Sequence, residues 1–200
     1  MIVIGLTGSI GMGKSTTARL FAEEGAHVFD ADAAVAVLYA PGGAAVGPVG
    51  EAFPDAIHEG GVDRVRLSDA LRRDPKGFER LEAIVHPLVG RARDDFFAKA
   101  RDEGAEFAVL DVPLLFEADL AHLVDVIAVV TAPEDIQRER VLARANMDEA
   151  KLDAILSRQM PDHEKRARAH LIIDTSGGIE QAREQVRLAL DTLRRDPGLA

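Results

Sequence analysis

A glycine-rich loop near the start of the sequence constrains the fold more strongly than any other feature. Residues 8–16 read GSIGMGKST, which fits the pattern G-x-x-x-x-G-K-[ST], and they follow the apolar run Ile2–Thr7. A strand, a glycine loop and a helix in this order form a concave site in which backbone N–H groups surround the phosphates of a nucleotide. The sequence therefore predicts a phosphate-binding loop at the first strand–helix junction of an α/β fold.

The residues of this loop have separate expected roles. Gly11 and Gly13 let the backbone approach phosphate oxygens that a side chain would block, and the positive end of the following helix adds to the attraction. Lys14 would bring a charge to the β- and γ-phosphates of ATP, and the Ser15 hydroxyl would be a ligand of Mg²⁺. The alternative is a tight turn without a ligand. The residues expected to bind the nucleotide are Gly8, Gly11, Met12, Gly13, Lys14, Ser15 and Thr16.

The composition argues against several other classes of function. A formal net charge of −10 and an aromatic content of 4% disfavour a nucleic-acid partner, which needs a basic face or stacking platforms. The absence of cysteine excludes disulfides, thiolate zinc and thiol catalysis. No apolar run reaches the roughly 18–20 residues of a membrane span, and the first run enters the glycine loop rather than a cleavage site. We therefore expect no membrane partner and a cytoplasmic location. The expected assembly state is a monomer or a weak homo-oligomer.

Short apolar runs alternate with helical patterns along the chain, which is typical of a parallel α/β sheet. The expected strands are Ile2–Thr7, His27–Asp30, Phe107–Asp111, Val124–Thr131 and His170–Asp174. The final helix begins after Gly178, with an apolar stripe from Ile179 to Leu193. The predicted fold is a three-layer α/β/α nucleotide-binding fold around a five-stranded parallel sheet.

The segment between the second and third strands is too long for one crossover helix, since it spans more than 70 residues. It begins with a stretch rich in Gly, Pro and Ala at 41–61 and continues into a long helical run at about 78–102. Pro87 interrupts that run, so a kink or a break is expected there. This length predicts a helical insertion at the carboxyl edge of the sheet, where ligands bind in open α/β folds.

Two aspartates follow the second strand. If the chain stays extended, alternation places Asp30 and Asp32 on one side, near the carboxyl edge and the phosphate loop. A carboxylate there can accept a proton from an attacking hydroxyl or hold Mg²⁺ through water. Either residue can instead cap a helix at Ala33–Tyr39. We expect one of the two to be functional and the other to be a cap or a supporting partner.

A third aspartate, Asp111, ends the strand Phe107–Asp111 and is followed by Pro113. An acidic residue that ends a strand beside a phosphate loop is typical of the aspartate that holds the metal in such enzymes. Asp111 is therefore a candidate for the Mg²⁺ site together with Ser15, directly or through water.

Two arginines lie four residues apart after the fourth strand. Arg140 and Arg144 share a helical face, and two guanidinium groups there can neutralise a phosphoryl group in transfer. The alternative is a solvated face that pairs with Glu134, Asp135 or Glu139. His86, which precedes Pro87, is either a structural hydrogen-bonder or a participant in the chemistry.

Taken in order along the chain, these motifs resemble the dephospho-coenzyme A kinase family. The resemblance covers nearly the whole chain and keeps both the order and the spacing of the motifs. The matching residues are Gly5 to Gly8, Gly11 to Ser15, Asp30 to Asp32, Asp63-Arg64 with Leu67, Leu81-Glu82 with His86-Pro87, Asp111 to Glu117, Gln137, Arg140, Arg144, Gln159 and Ile173-Asp174.

The resemblance implies transfer of a phosphoryl group from ATP to the ribose 3′-hydroxyl of dephospho-coenzyme A. It implies that Asp32 is the base and that Lys14 and Arg140 hold the transferred phosphate. It places Arg144 among the nucleotide-binding residues and Asp32, Arg64, His86 and Leu114 among the residues that bind the acceptor.

The resemblance also implies how the chain is divided. It suggests one kinase domain over residues 1–200, with an acceptor-side insertion at about 41–102 and a closing lid at about 134–166. Two alternatives remain open from the residues alone. One is a kinase of the same architecture with another small acceptor, and the other is a nucleotide-gated switch or assembly protein.

Overall fold

The computed structural model describes residues 1–196 and 198, and its chain separates into two compact units. The first unit, called the sheet unit below, contains residues 1–29 and the chain from residue 100 onward. The second unit, called the helical unit, contains residues 30–99. The phosphate loop belongs to the sheet unit, while Asp32 and Arg64 belong to the helical unit.

The sheet has five strands, and β1 lies at its centre. The strands are β1 Ile2–Thr7, β2 His27–Asp30, β5 Phe107–Asp111, β6 Val126–Thr131 and β7 Leu171–Asp174, in the order β2-β5-β1-β6-β7. β1 pairs in parallel with β5 on one side and with β6 on the other. Because the strand order reverses at β1, the loop that follows β1 occupies the position where open α/β sheets bind ligands.

The core of the sheet unit explains why these runs form strands and helices. β1 is buried on both faces, as a central parallel strand must be, and Ile4 and Leu6 are fully buried. Helices α1 Lys14–Glu23 and α9 Ile179–Arg195 contribute apolar stripes to the same core. Three shorter helices complete this part of the chain: α6 Glu134–Leu142, α7 Glu149–Leu156 and α8 Asp162–Ala167.

The helical unit has its own apolar core. It contains α2 Ala31–Tyr39, α3 Val46–Ala52, a small hairpin of β3 Ile57–His58 and β4 Gly61–Val62, α4 Arg64–Arg73, and most of α5 Gly77–Asp102. Asp63 starts α4, because its Oδ1 accepts hydrogen bonds from the N–H groups of Val65 and Arg66. Over residues 1–196 and 198, no helix has the length and apolar character needed to cross a membrane.

The structure confirms the predicted fold class and places three of the five strands at the predicted bounds. β6 begins two residues later than predicted, after the 3₁₀ turn Ala121–Leu123, and β7 begins one residue later. A kink or a break was expected at Pro87, and the break is absent, since α5 is continuous through this residue. Pro87 is exposed, and its ring removes only one hydrogen bond from a helix of 26 residues.

Candidate active site

The phosphate loop has the backbone conformation that its glycines allow. Gly11 and Gly13 have φ angles of 80° and 93°, and α1 begins directly afterwards at Lys14. A Cβ atom on Gly11 would lie 2.5 Å from Val141 Cγ2 and 3.0 Å from the Gln137 carbonyl oxygen. Glycine is therefore required at this position both for the backbone angle and for the close approach of α6.

Buried contacts of Met12 also hold the phosphate loop in place. The Met12 side chain is 2% exposed, and its Sδ accepts a hydrogen bond of 3.1 Å from the Ala132 N–H. The Met12 carbonyl accepts a hydrogen bond of 2.8 Å from the Thr175 hydroxyl. Met12 therefore anchors the loop with its side chain and its carbonyl, while its N–H donates to the Ser9 carbonyl at 3.2 Å within the loop.

Lys14 and Asp111 form a partly buried ion pair beside the loop. The pairing of β1 with β5 places Asp111 opposite Leu6, two residues before the loop starts. The Lys14 Nζ donates to Asp111 Oδ1 at 2.5 Å, and the two side chains are 14% and 6% exposed. Ser15 is exposed in the first turn of α1. The structure thus brings the predicted phosphate-binding ammonium next to the predicted metal carboxylate.

Arg140 extends from α6 to the loop that follows β7. It donates hydrogen bonds of 2.7 Å to both the hydroxyl and the carbonyl oxygen of Thr175. Arg140 and Arg144 line a cleft of about 310 Å³ together with Gly11, Gly13, Thr16 and the start of α9. Of the partners predicted for the alternative, Glu134 pairs with Arg138 instead. Arg138 also pairs with Glu149 and Asp153, which lie on α7.

In the helical unit, Asp30 is the N-cap of α2, whereas Asp32 lies within the first turn of that helix. α2 begins at Ala31, and the Asp30 carboxylate caps it by accepting a 2.9 Å hydrogen bond from the Ala33 N–H. The expectation that the chain stays extended through both aspartates is therefore wrong, because the cap turns the backbone into a helix at once. Asp32 lies exposed in the first turn of α2 and is not used as the cap.

The comparisons with known proteins identify the family. The model of the dephospho-CoA kinase family, CoaE, matches residues 2–181. The chain belongs to the dephospho-CoA kinase family. A dephospho-CoA kinase from Agrobacterium fabrum is 53% identical over 96% of this chain and 98% of its own length. Another, from Rhizobium etli, is 55% identical over 93% of this chain and 91% of its own length. The chain is thus a kinase, with ATP as its phosphoryl donor.

Solved structures agree with the fold. The structure of TT1252 from Thermus thermophilus has a TM-score of 0.81 and 33% identity, covering 96% of this chain and 97% of that chain. A dephospho-CoA kinase from Campylobacter jejuni has a TM-score of 0.61 and 19% identity, with 96% of each chain covered. The second likeness concerns the fold alone.

Within the helical unit of this kinase, Asp32 and Arg64 line one cleft of about 630 Å³, together with Tyr39 and the hairpin. The Arg64 guanidinium lies 5.8 Å from the centre of the Tyr39 ring, which is the geometry of a cation–π contact. Burial raises the pKa of Tyr39, while the charge of Arg64 acts in the opposite direction. His86 is exposed on α5 and is not part of this lining.

Leu114, the remaining residue expected at the acceptor, is 41% exposed in the loop after β5. That loop is fixed by Lys165 of α8, whose fully buried ammonium lies 2.9 Å from Glu117 Oε1 and donates to the Pro113 carbonyl at 3.2 Å. The Thr7 hydroxyl donates to the same carbonyl at 2.9 Å. Leu114 is therefore presented by a loop that is tied to the end of β1 and to α8.

The carboxylate of Glu117 has a perturbed pKa. Burial acts to raise it, but the hydrogen bonds from Lys165 and from the Met160 N–H dominate and hold the pKa below its ordinary value. Sequence reasoning assigned no role to Lys165 or Glu117. A lysine in a helix with mostly charged neighbours is normally solvated, so the pattern gave no signal that Lys165 is buried.

Proposed function

We propose that this chain transfers the γ-phosphoryl group of ATP to the 3′-hydroxyl of dephospho-coenzyme A, the last step of coenzyme A synthesis. The observation that carries the proposal is the phosphate loop, with Gly11 and Gly13 at positive φ and Lys14 at the helix start, in a chain that matches this kinase family over residues 2–181. Transfer of a phosphoryl group requires positioning and charge neutralisation more than covalent chemistry.

The loop and two cationic side chains act on the phosphates. The backbone N–H groups of residues 11–16 surround the polyphosphate, and Gly8 allows the loop to begin close to β6, since a Cβ there would lie 2.6 Å from the Val130 carbonyl oxygen. Lys14 and Arg140 neutralise the transferred group, and Arg144 contributes to the nucleotide cleft that it lines.

Ser15 and Asp111 would hold Mg²⁺. A hydroxyl and a carboxylate are the oxygen ligands that this ion prefers, and Mg²⁺ usually takes only one or two protein ligands beside water and phosphate oxygens. This donor set therefore fits the ion, although the described residues contain no cluster of three or more His, Cys, Asp or Glu side chains. When bound, Mg²⁺ neutralises charge on the β- and γ-phosphates.

Asp32 acts as the base that accepts the proton of the acceptor hydroxyl. Its exposure and its freedom from the cap position support this role. Arg64, His86 and Leu114 contact the acceptor, with residues 41–102 as the acceptor-side insertion and 134–166 as a lid that excludes water during transfer. We place the reaction in the cytoplasm, where ATP is made and used, and the protein as a monomer or a weak homo-oligomer, which light scattering tests.

A coupled ADP-release assay with ATP and Mg²⁺ tests the proposal. We expect ADP release to depend on dephospho-coenzyme A. With nucleoside monophosphates, sugar acids or the 3′-deoxy analogue of dephospho-coenzyme A, ADP release should stay at background. Release that is faster with another acceptor would indicate a different small-molecule kinase. Hydrolysis that proceeds equally without any acceptor would indicate a nucleotide-gated switch.

A further inference from the structure

Two glutamine side chains hold one residue of the phosphate loop, Ile10, by both of its backbone polar groups. Gln137 Nε2 donates to the Ile10 carbonyl oxygen at 2.7 Å, and the Ile10 N–H donates to Gln159 Oε1 at 3.1 Å. Gln137 belongs to α6 and is 4% exposed, whereas Gln159 lies between α7 and α8 and is partly exposed. Each amide group thus presents the atom that its backbone partner requires.

These bonds orient two consecutive peptide planes of the loop. The Ile10 carbonyl and the Gly11 N–H belong to the same peptide unit, and in a trans peptide the two point in opposite directions. When Gln137 fixes the carbonyl, it therefore also fixes the direction of the Gly11 N–H. The bond from Gln159 fixes the preceding peptide, between Ser9 and Ile10.

The backbone of Gly11 has little restriction of its own. Glycine has no Cβ to restrict its backbone, and Gly11 is the first residue whose N–H is proposed to bind the phosphates. The Gln137 carbonyl approaches the same residue closely, since it would lie 3.0 Å from a Cβ at Gly11. One residue of α6 thus contacts the loop with its backbone and its side chain.

We propose that Gln137 and Gln159 are positioning residues for ATP binding, with Gln137 setting the direction of the Gly11 N–H and Gln159 linking the loop to the chain between α7 and α8. The inference rests on the proposed role of the loop in binding ATP. It does not depend on which acceptor receives the phosphoryl group, since neither glutamine is assigned to the acceptor.

The Gln159 contact has a second consequence. The next residue, Met160, donates its N–H to Glu117 at 2.7 Å, so two adjacent residues of this connection contact the phosphate loop and the loop that carries Leu114. A movement of the segment between α7 and α8 would therefore reach both loops. Gln137 is buried in α6, so of the two glutamines that hold Ile10 it is the one that would stay in place during such a movement.

A matched pair of substitutions tests the proposal. Gln137→Glu replaces the donor that faces the Ile10 carbonyl with an acceptor, whereas Gln159→Glu keeps an acceptor for the Ile10 N–H. Both add the same charge to the same part of the loop. We expect Gln137→Glu to raise the dissociation constant of ATP–Mg²⁺, measured by calorimetry, at least about tenfold, and Gln159→Glu less than about threefold.

Steady-state kinetics provide the second readout. KM for ATP should rise in Gln137→Glu while KM for dephospho-coenzyme A stays within about twofold, a split that a general loss of structure would not produce. If Gln137→Glu does not fold, Gln137→Met removes the donor without adding a charge and is judged by the same ATP criterion, with an expected rise of at least about threefold.

Equal effects of the two glutamate variants, or no effect of Gln137→Glu on ATP binding, would overturn the proposal. Failure of the proposed function is a separate result. In that case the wild-type protein binds ATP–Mg²⁺ but releases no ADP with dephospho-coenzyme A, and the comparison of the two variants in ATP binding still decides the role of the glutamines.

Discussion

The first and second strand–helix junctions of this protein present different chemical groups at the end of their strands. After β1, six residues intervene before α1, two of them glycines at positive φ, and the loop is anchored by a buried methionine. After β2, α2 follows without any intervening residue, and Asp32 is exposed in its first turn. The first junction offers backbone N–H groups, and the second offers a carboxylate side chain.

Because the two junctions present different groups, different kinds of substitution should impair them. A site made of backbone groups is damaged by adding atoms that prevent the backbone from taking its conformation. A site made of one side chain is damaged by removing that side chain, while the backbone around it stays intact. The two junctions are therefore tested by different substitutions. At the second junction a side chain is truncated to alanine, and at the first junction a glycine gains a methyl group.

The largest effect is expected at the second junction. Asp32→Ala should lower kcat at least about 10²-fold, because it removes the proposed base, and should leave the ATP dissociation constant nearly unchanged. Asp30→Ala is the matched control. It should lower the free energy of unfolding by about 1 kcal/mol through loss of the cap, with turnover within about threefold of wild type. Near-normal turnover in Asp32→Ala would show that the base is another group.

At the first junction, a single added methyl group should weaken ATP binding. Gly11→Ala places a Cβ 2.5 Å from Val141 Cγ2 at a φ of 80°, so we expect the ATP dissociation constant to rise about tenfold or more. Gly25→Ala is the control, because Gly25 has a φ of 92° but no atom within 4 Å of the added Cβ. If both variants bind ATP equally well, the close packing at Gly11 is not what forms the site.

The smallest effect is expected at the loop that presents Leu114. A carboxyl group whose pKa is lowered on folding stabilises the protein above its ordinary pKa, and this stabilisation is lost as the pH falls through the lowered value. The ordinary pKa of Glu117 is 4.5, so Glu117→Gln should lower the midpoint of thermal unfolding at pH 7 by a few degrees.

The difference from wild type should begin to shrink below about pH 4.5, because the unfolded chain then binds a proton at Glu117 that the folded protein binds only below its lowered pKa. Glu82→Gln, at an exposed residue of α5, is the control for the loss of one negative charge and should change the midpoint at pH 7 less than Glu117→Gln does. A difference between wild type and Glu117→Gln that is the same at pH 7 and at pH 4 would contradict the assigned role of this ion pair.

The strands and the phosphate loop were predictable because their signals are local. The runs Ile2–Thr7 and Phe107–Asp111 are apolar and end at polar residues, and the glycine spacing fixes where the loop lies. The immediate start of α2 was missed because capping by Asp30 competes with continued extension, and the sequence permits both. The positions of Gln137, Gln159 and Lys165 depend on contacts between distant segments, for which residue spacing carries no information.

We propose above that the N–H groups after β1 bind a polyphosphate with help from Lys14. A crystal structure with a non-hydrolysable ATP analogue and Mg²⁺ tests it most directly. We expect the β- and γ-phosphates to lie within hydrogen-bond distance of the N–H groups of residues 11–16, with Lys14 Nζ bound to a phosphate oxygen. A nucleotide bound elsewhere, with Lys14 paired to Asp111 alone, would contradict it.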